Sequence, residues 1–382
     1  MVTNDIRYIG VDDKTLDLFE SQYVVPNGVS YNSYVILDDK VAVMDTVDRR
    51  KTTEFLANLR QALAGRQPDY LVVQHMEPDH AASIQALVEQ YPDVQLVASA
   101  KALQMLPLYF TGLDLSRAVT VKEGDTLSLG RHELTFISAP MVHWPEVMMT
   151  YDKCDKVLFS ADGFGKFGAL DTDEAWDDEA RRYYFNIVGK YGPQVQSVLK
   201  KAAGLDIRAI CPLHGPVLKE DLGHYLDKYN IWSSYGVESE GVFIACASIH
   251  GHTAAAMEKL SEILKAKGCP KVAMTDLTRD DMAEALEDAF RYGKVVLAAS
   301  SYNAGVMPAM EDFLHHLKGK NYQKRTVALV ENGSWAPTAA RTMREILGQT
   351  KDITVVEPAV TIRGALKDSD LPALEALADA IL

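Results

Sequence analysis

The stretch LVVQHMEPDH, residues 71–80, ends an apolar run with four ligand-capable side chains: His75, Glu77, Asp79 and His80, with Pro78 stiffening the turn. Three further apolar runs end the same way: LTFISAPMV at His143, KVLFSA at Asp162 and IRAICPL at His214. Ligands on loops at one rim of a rigid sheet can converge on a point, which a metal cluster requires. A lone histidine is more often a surface or hydrogen-bonded core residue, and His132, His224, His315 and His316 are read that way. Four strand-end placements together point instead to a metal site. Imidazoles and carboxylates in this number, with one carboxylate shared, make a binuclear centre, and Asp162, which arrives alone, is the natural bridge. Zinc favours nitrogen and sulfur donors, whereas carboxylate-rich sites with open positions suit iron or manganese. Glu77 adds a hard anionic donor that stabilises a ferric state. The set argues for redox chemistry over hydrolysis.

A second constellation lies in the C-terminal half. GVFIACA runs into Ser248-Ile249-His250-Gly251-His252-Thr253 and then a helical pattern. Hydroxylated residues and a Gly at a helix N-terminus cradle a phosphate through free N–H groups and the helix dipole. The loop has no Lys, unlike a Walker A loop, and no G-x-G-x-x-G is present. Two more strand-like runs end in Ser300-Ser301-Tyr302-Asn303-Ala304-Gly305 and Glu331-Asn332-Gly333-Ser334-Trp335-Ala336. A doubly wound sheet binds its ligand at the carboxyl edge where strand order reverses. Tyr302 and Trp335 are candidate walls for a flat ring, and FMN fits better than NAD or ATP.

The elements that must position these groups differ between the halves. The first half is β-rich, with a hairpin expected in YNSYVILDDKVAVMDT at Asp38-Asp39, strands in YLVVQ and VQLVAS, and a helix in ALQMLPLY broken by Pro107. From about residue 240, GVFIACAS, KVAMTDL, KVVLAASS, TVALVEN and DITVVEPAV alternate with helical patterns, predicting an open parallel sheet covered on both faces. VESEG, with Gly241, reads as the linker.

The length of 382 residues suggests two domains. A net charge of −14 without a dense basic run argues against nucleic acid as partner. No run approaches the ~20 apolar residues that cross a bilayer, and the N-terminus lacks a secretion signal. Cys154, Cys211, Cys246 and Cys269 form no C-x-x-C pair and fit a reducing compartment, so a cytoplasmic location is expected.

His75-x-Glu77-x-Asp79-His80 is one residue away from the His-x-His-x-Asp-His of zinc hydrolases of the metallo-β-lactamase type. With the later His143, Asp162 and His214 and the flavin loops, the chain resembles the flavodiiron proteins (A-type flavoproteins) over nearly its whole length. The resemblance implies an α/β with α+β architecture: an αββα metallo-β-lactamase-like sandwich over residues 1–238, then a flavodoxin-like doubly wound five-stranded parallel sheet over residues 239–382. It further implies that His75, Glu77 and His143 hold one iron and Asp79, His80 and His214 the other, bridged by Asp162. The implied activity is reduction of dioxygen to water, of nitric oxide to nitrous oxide, or both, fed by FMN in a head-to-tail homodimer or tetramer. With no iron–sulfur or NAD-binding module before Leu382, a separate donor such as rubredoxin is expected to supply electrons. The basic residues Lys318, Lys320, Lys324 and Arg325 read as a solvated loop before they read as a docking patch for it.

The flavin loops depart from the family pattern. His250 and His252 stand where aromatic residues and Asn are frequent, Ala304 where a second Gly is common, and ENGSWAP replaces the more usual Gly-Ser-Tyr-Gly-Trp. Rival readings are a zinc-dependent hydrolase of thioesterase or lactonase type with an appended flavodoxin-like domain, an electron carrier with a vestigial iron site, and quinone reduction by the C-terminal half alone. Trp144, Met148, Met149, Phe164 and Phe167 flank ligands, and core packing explains them as well as pocket shaping does.

Overall fold

The hairpin read around Asp38-Asp39 forms as Tyr34–Leu37 antiparallel to Val41–Met44. A computed structural model describes residues 1–382 and divides them into two units, residues 1–184 with 193–230 and residues 185–192 with 231–382. In the first unit the hairpin belongs to a six-stranded sheet ordered Ile6–Tyr8, Tyr34–Leu37, Val41–Met44, Tyr70–Val73, Gln95–Ser99, Val119–Val121. A five-stranded sheet follows: Thr126–Ser128, Glu133–Ser138, Met148–Asp152, Val157–Phe159, Ala209–Cys211. Alternate residues of each strand point to one face. Tyr34, Ile36, Ala42, Met44, Tyr70 and Val72 of the first sheet therefore share one buried cluster with Leu134, Phe136, Met148, Val157, Phe159 and Cys211 of the second. Helices Thr52–Leu63 and Ala100–Tyr109 pack on the first sheet.

Strand direction fixes where the ligands go. Met148–Asp152 runs antiparallel to both Glu133–Ser138 and Val157–Phe159, and Ala209–Cys211 runs parallel to Val157–Phe159. The C-terminal ends of the strands leading to His143, Asp162 and His214 thus share one rim.

The second unit is a sheet ordered Val272–Asp276, Ser239–Ala247, Tyr292–Tyr302, Gln323–Asn332, Lys351–Val355, parallel throughout. Its order of 2-1-3-4-5 reverses beside the first strand, which places the ligand crevice there. Val242, Ile244, Cys246, Val296, Ala298, Ala328 and Val330 are buried under helix His252–Ala266 and the C-terminal helix Leu371–Ile381.

Three local expectations need correction. Helix Ala100–Tyr109 continues through Pro107, which sits in its last turn, where the lost backbone donor removes only one bond. Ser239 to Gly241 is strand rather than linker, with a register shift before Val242. DITVVEPAV is two strands, Lys351–Val355 and Val360–Ile362, interrupted at Pro358, which has no N–H for the ladder. No helix is long and apolar enough to cross a membrane.

Candidate functional site

The strand Tyr70–Val73 delivers His75 to the rim, and Glu77 caps the short helix Pro78–Ala81, whose turn presents Asp79 and His80. Two donor sets form there: His75, Glu77, His143 and Asp162 in one, Asp79, His80 and His214 in the other. In the first, Glu77 Oε2 lies 3.2 Å from His75 Nε2 and 3.0 Å from His143 Nε2. Asp162 Oδ2 lies 3.1 and 3.2 Å from the same two nitrogens. In the second, Asp79 Oδ2 is 3.3 Å from both His80 Nε2 and His214 Nε2. Asp162 turns its other oxygen, Oδ1, toward this set, 3.2 Å from His80 Nε2 and 3.9 Å from His214 Nε2. Donors about 2.1 Å from a common ion, at right angles around it, are about 3 Å apart.

The burial of these groups fits cations. Both oxygens of Asp79 and Asp162, both ring nitrogens of His80 and Nε2 of His214 are buried without a hydrogen-bond partner. Unpaired buried polar atoms are costly unless a ligand engages them. Burial pulls the His143 ring down, but the neighbouring carboxylates of Asp162 and Glu77 outweigh it and lift it to about 9. The carboxylates of Glu77 and Asp162 thus attract positive charge, and divalent ions satisfy them more fully than protons do.

Hydrogen bonds orient the donors. His75 Nδ1 donates to Glu146 Oε1 at 2.8 Å, which also accepts from the Met76 backbone at 2.8 Å. His214 Nδ1 donates to the Ser30 carbonyl at 2.7 Å. Fully buried Asp45 accepts from Gln74 N and His75 N, and burial raises its carboxyl to about 6. A carboxylate or carbonyl on one ring nitrogen presents the other nitrogen's lone pair to a metal.

Phe19, Tyr31 and Tyr183 pack edge-on or tilted against the His214 ring, and Phe167 backs Phe19 and Tyr183. Trp144 stands perpendicular to His75 at 5.4 Å, whereas Met148 lies in the core and Phe164 packs on Tyr229. A cavity of about 280 Å³ lined by Phe19, Glu20, Tyr31, Arg50, Glu77 and Asp79 reaches the donors from outside. Burial, followed by the charge and hydrogen bond of Glu77, raises Glu20 to about 7.

Glu146, Asp45 and Glu20 were missed in the sequence because ordinary acids in ordinary strand ends carry no spacing signal. The acid in HWPEV, three residues past a ligand, was the one available cue.

In the second unit a cavity of about 380 Å³ lies at the strands' carboxyl ends. Ser248, His250, His252, Thr253, Ser300, Ser301, Tyr302, Asn303, Ala304, Asn332, Gly333, Ser334 and Trp335 line it. Gly251 and Gly305 do not. Gly251, at φ 84°, caps helix His252–Ala266 with a backbone turn, and Gly305 pairs with Tyr302 while its carbonyl accepts from Thr338. Ile249, Ala336, Thr338 and Gly364 also line the cavity. Gly364 arrives because its N–H and carbonyl bond the Asn332 side chain, a tie invisible in spacing. Ser248 Oγ is buried and unpartnered beside the helix N-terminus, which fits a phosphate acceptor. Trp335 and Tyr302 are 88% and 47% exposed, as faces for a flat ring require.

The basic residues are engaged locally. Arg325 is buried and donates to the carbonyls of Tyr235 (2.8 Å), Gly236 (2.9 Å) and Phe290. Lys324 donates to the Ser234 carbonyl, Lys320 to that of Asn186, and Lys318 to Gln349.

Two family models match the chain, an ODP family beta lactamase over residues 29–215 and a flavodoxin domain over residues 243–375. A crystal structure of the flavodiiron protein from Giardia intestinalis superposes with a TM-score of 0.91 at 25% identity, covering 99% of this chain and 94% of that one. The chain belongs to the flavodiiron proteins. Rubredoxin oxygen:oxidoreductase from the anaerobe Desulfovibrio gigas also gives a TM-score of 0.91, at 26% identity over 100% of this chain and 97% of that one. A nitric oxide reductase of Moorella thermoacetica is 29% identical over 380 residues, 97% of this flavodiiron chain and 94% of the relative.

Proposed function

We propose that this flavodiiron chain is an oxidoreductase that reduces dioxygen to water, nitric oxide to nitrous oxide, or both. In this reading His75, Glu77 and His143 hold one iron, Asp79, His80 and His214 the other, and Asp162 bridges them. The observation that carries it is the aim of Asp162, one oxygen toward each donor set. Glu77 in the first set disfavours the hydrolase reading, since it supplies a hard donor where a zinc site favours nitrogen.

Two ferrous ions would supply electrons and open positions for a diatomic, and FMN in the C-terminal cradle would refill them. The chain's own residues do the positioning. Glu146 and the Ser30 carbonyl hold the protons of His75 and His214 at Nδ1, so that Nε2 of each faces a metal. Phe19, Tyr31, Phe167 and Tyr183 exclude bulk water on the His214 side. The cavity past Glu20 admits a small molecule. In the cradle, the turn at Gly251 and the Ser248 hydroxyl would receive the flavin phosphate, with Trp335 and Tyr302 against the ring.

A cytoplasmic head-to-tail homodimer, or a tetramer of such dimers, served by a rubredoxin-like donor, completes the proposal. The name of the Desulfovibrio gigas relative supports that donor class. The test is anaerobic reduction followed by parallel oxygen and nitric oxide electrode assays on one preparation with iron and FMN quantified. Consumption of either gas in proportion to iron supports the reading. Consumption of neither by protein loaded with iron and FMN overturns it.

A further inference from the structure

The opposite rim of the N-terminal sandwich carries a second group of metal-capable side chains, unused by the chemistry above. Glu133–Ser138 begins at that rim and Met148–Asp152 ends there, since the two strands run antiparallel. His132 precedes the first of these strands, and Cys154 and Asp155 form the turn after the second. One donor atom from each of His132, Cys154 and Asp155 lies within 4.8 Å of the other two.

His132 is fully buried and held in one orientation. Its backbone N–H donates to Asp38 Oδ2 at 2.6 Å, and its Nδ1 lies 3.0 Å from Asp152 Oδ2. An ionised carboxylate only accepts, so the proton sits on Nδ1, and the Nε2 lone pair faces the Arg131 guanidinium. Metal-binding histidines are oriented by the same kind of carboxylate. Asp5 Oδ2 lies 3.4 Å from Nε2. Arg131 reaches into this space, 3.2 Å from Nε2 and ion-paired with Asp5. Its side chain is 59% exposed, so it can swing into water at little cost. Lys156 is already paired with Asp206. A cavity of about 240 Å³, lined by Asp5, Cys154 and Asp155 together with Arg131, Lys156 and Arg208, opens this cluster to solvent.

We propose that His132, Cys154, Asp155 and Asp5 form a third metal site, selective for zinc. A thiolate with an imidazole and carboxylates suits a four-coordinate borderline-soft cation, whereas magnesium and calcium require oxygen donors throughout. The ion ties the segment before Ile6–Tyr8 to the start of Glu133–Ser138 and the turn ahead of Val157–Phe159. Its role is structural and independent of the diiron centre.

The test titrates Co²⁺, then Zn²⁺, into the iron- and FMN-loaded protein. One equivalent of Co²⁺ should produce a thiolate-to-metal charge-transfer band, and Zn²⁺ should abolish it by displacement. Cys154→Ser should remove the band, and Asp155→Asn should weaken Zn²⁺ binding by more than about tenfold. Both variants should keep their iron content and thermal midpoint in chelator. Absence of the band in the wild-type protein, or zinc binding unchanged in Cys154→Ser, overturns the proposal.

Discussion

The two candidate sites of this flavodiiron chain are built on different principles. The metal rim uses charged and imidazole donors that are nearly all buried, each oriented by a further buried partner such as Glu146 or the Ser30 carbonyl. The flavin cradle uses small hydroxylated residues, backbone turns and exposed aromatic faces. A metal demands particular atoms at particular distances, so side-chain identity carries the rim. A phosphate and a flat ring accept any free N–H, any hydroxyl and any π face, so backbone shape carries the cradle. Substitutions should therefore be punished heavily at the rim and lightly in the cradle.

Asp162→Ala should have the largest effect, since that side chain faces both donor sets. Iron content should fall from two to below one per chain, and gas consumption by at least about a hundredfold. Retention of both irons would break the comparison at its strongest point. Next in size is Glu146→Leu, which removes the acceptor at His75 Nδ1 and should weaken iron binding by about 10–100-fold. Glu146→Gln retains an acceptor oxygen and should recover most of that loss in an iron titration.

In the cradle, Trp335→Ala removes one exposed face. At about 0.5–1.5 kcal/mol for an aromatic contact, FMN affinity measured by fluorescence quenching should fall between about twofold and tenfold. A loss of a hundredfold or more would show that the cradle, too, depends on side-chain identity. The smallest effect is expected from Lys318→Glu. Its partner is Gln349 and neighbouring Arg325 is buried on carbonyls, so little of the basic run is free to steer a donor. The rate of reduction by an acidic donor protein, and its salt dependence, should stay within about twofold.

The same contrast explains what was legible in the sequence. Candidate donors such as His143 and His214 stand out in the sequence because polar groups at the ends of apolar runs break a strong pattern. The parallel sheet was equally plain in its alternation of strand and helix. Glu146 and Asp45 were not legible, because only the folded chain shows that their carboxylates meet His75. Arg325 read as part of a solvated loop, yet five carbonyl acceptors around its guanidinium bury it. His132 read as a lone surface or hydrogen-bonded core histidine, and its pairing with Asp152 depends on two strands aligned by the sheet. In the cradle, Gly364 was missed because the strand before it, Val360–Ile362, is three residues long and follows a proline-interrupted run.

The most direct measurement of the central claim is iron K-edge X-ray absorption on protein produced with ample iron, combined with metal analysis. A bridging Asp162 requires two irons per chain and an Fe–Fe vector at about 3.5 Å. Zinc in place of iron, or iron without that vector, would contradict the account.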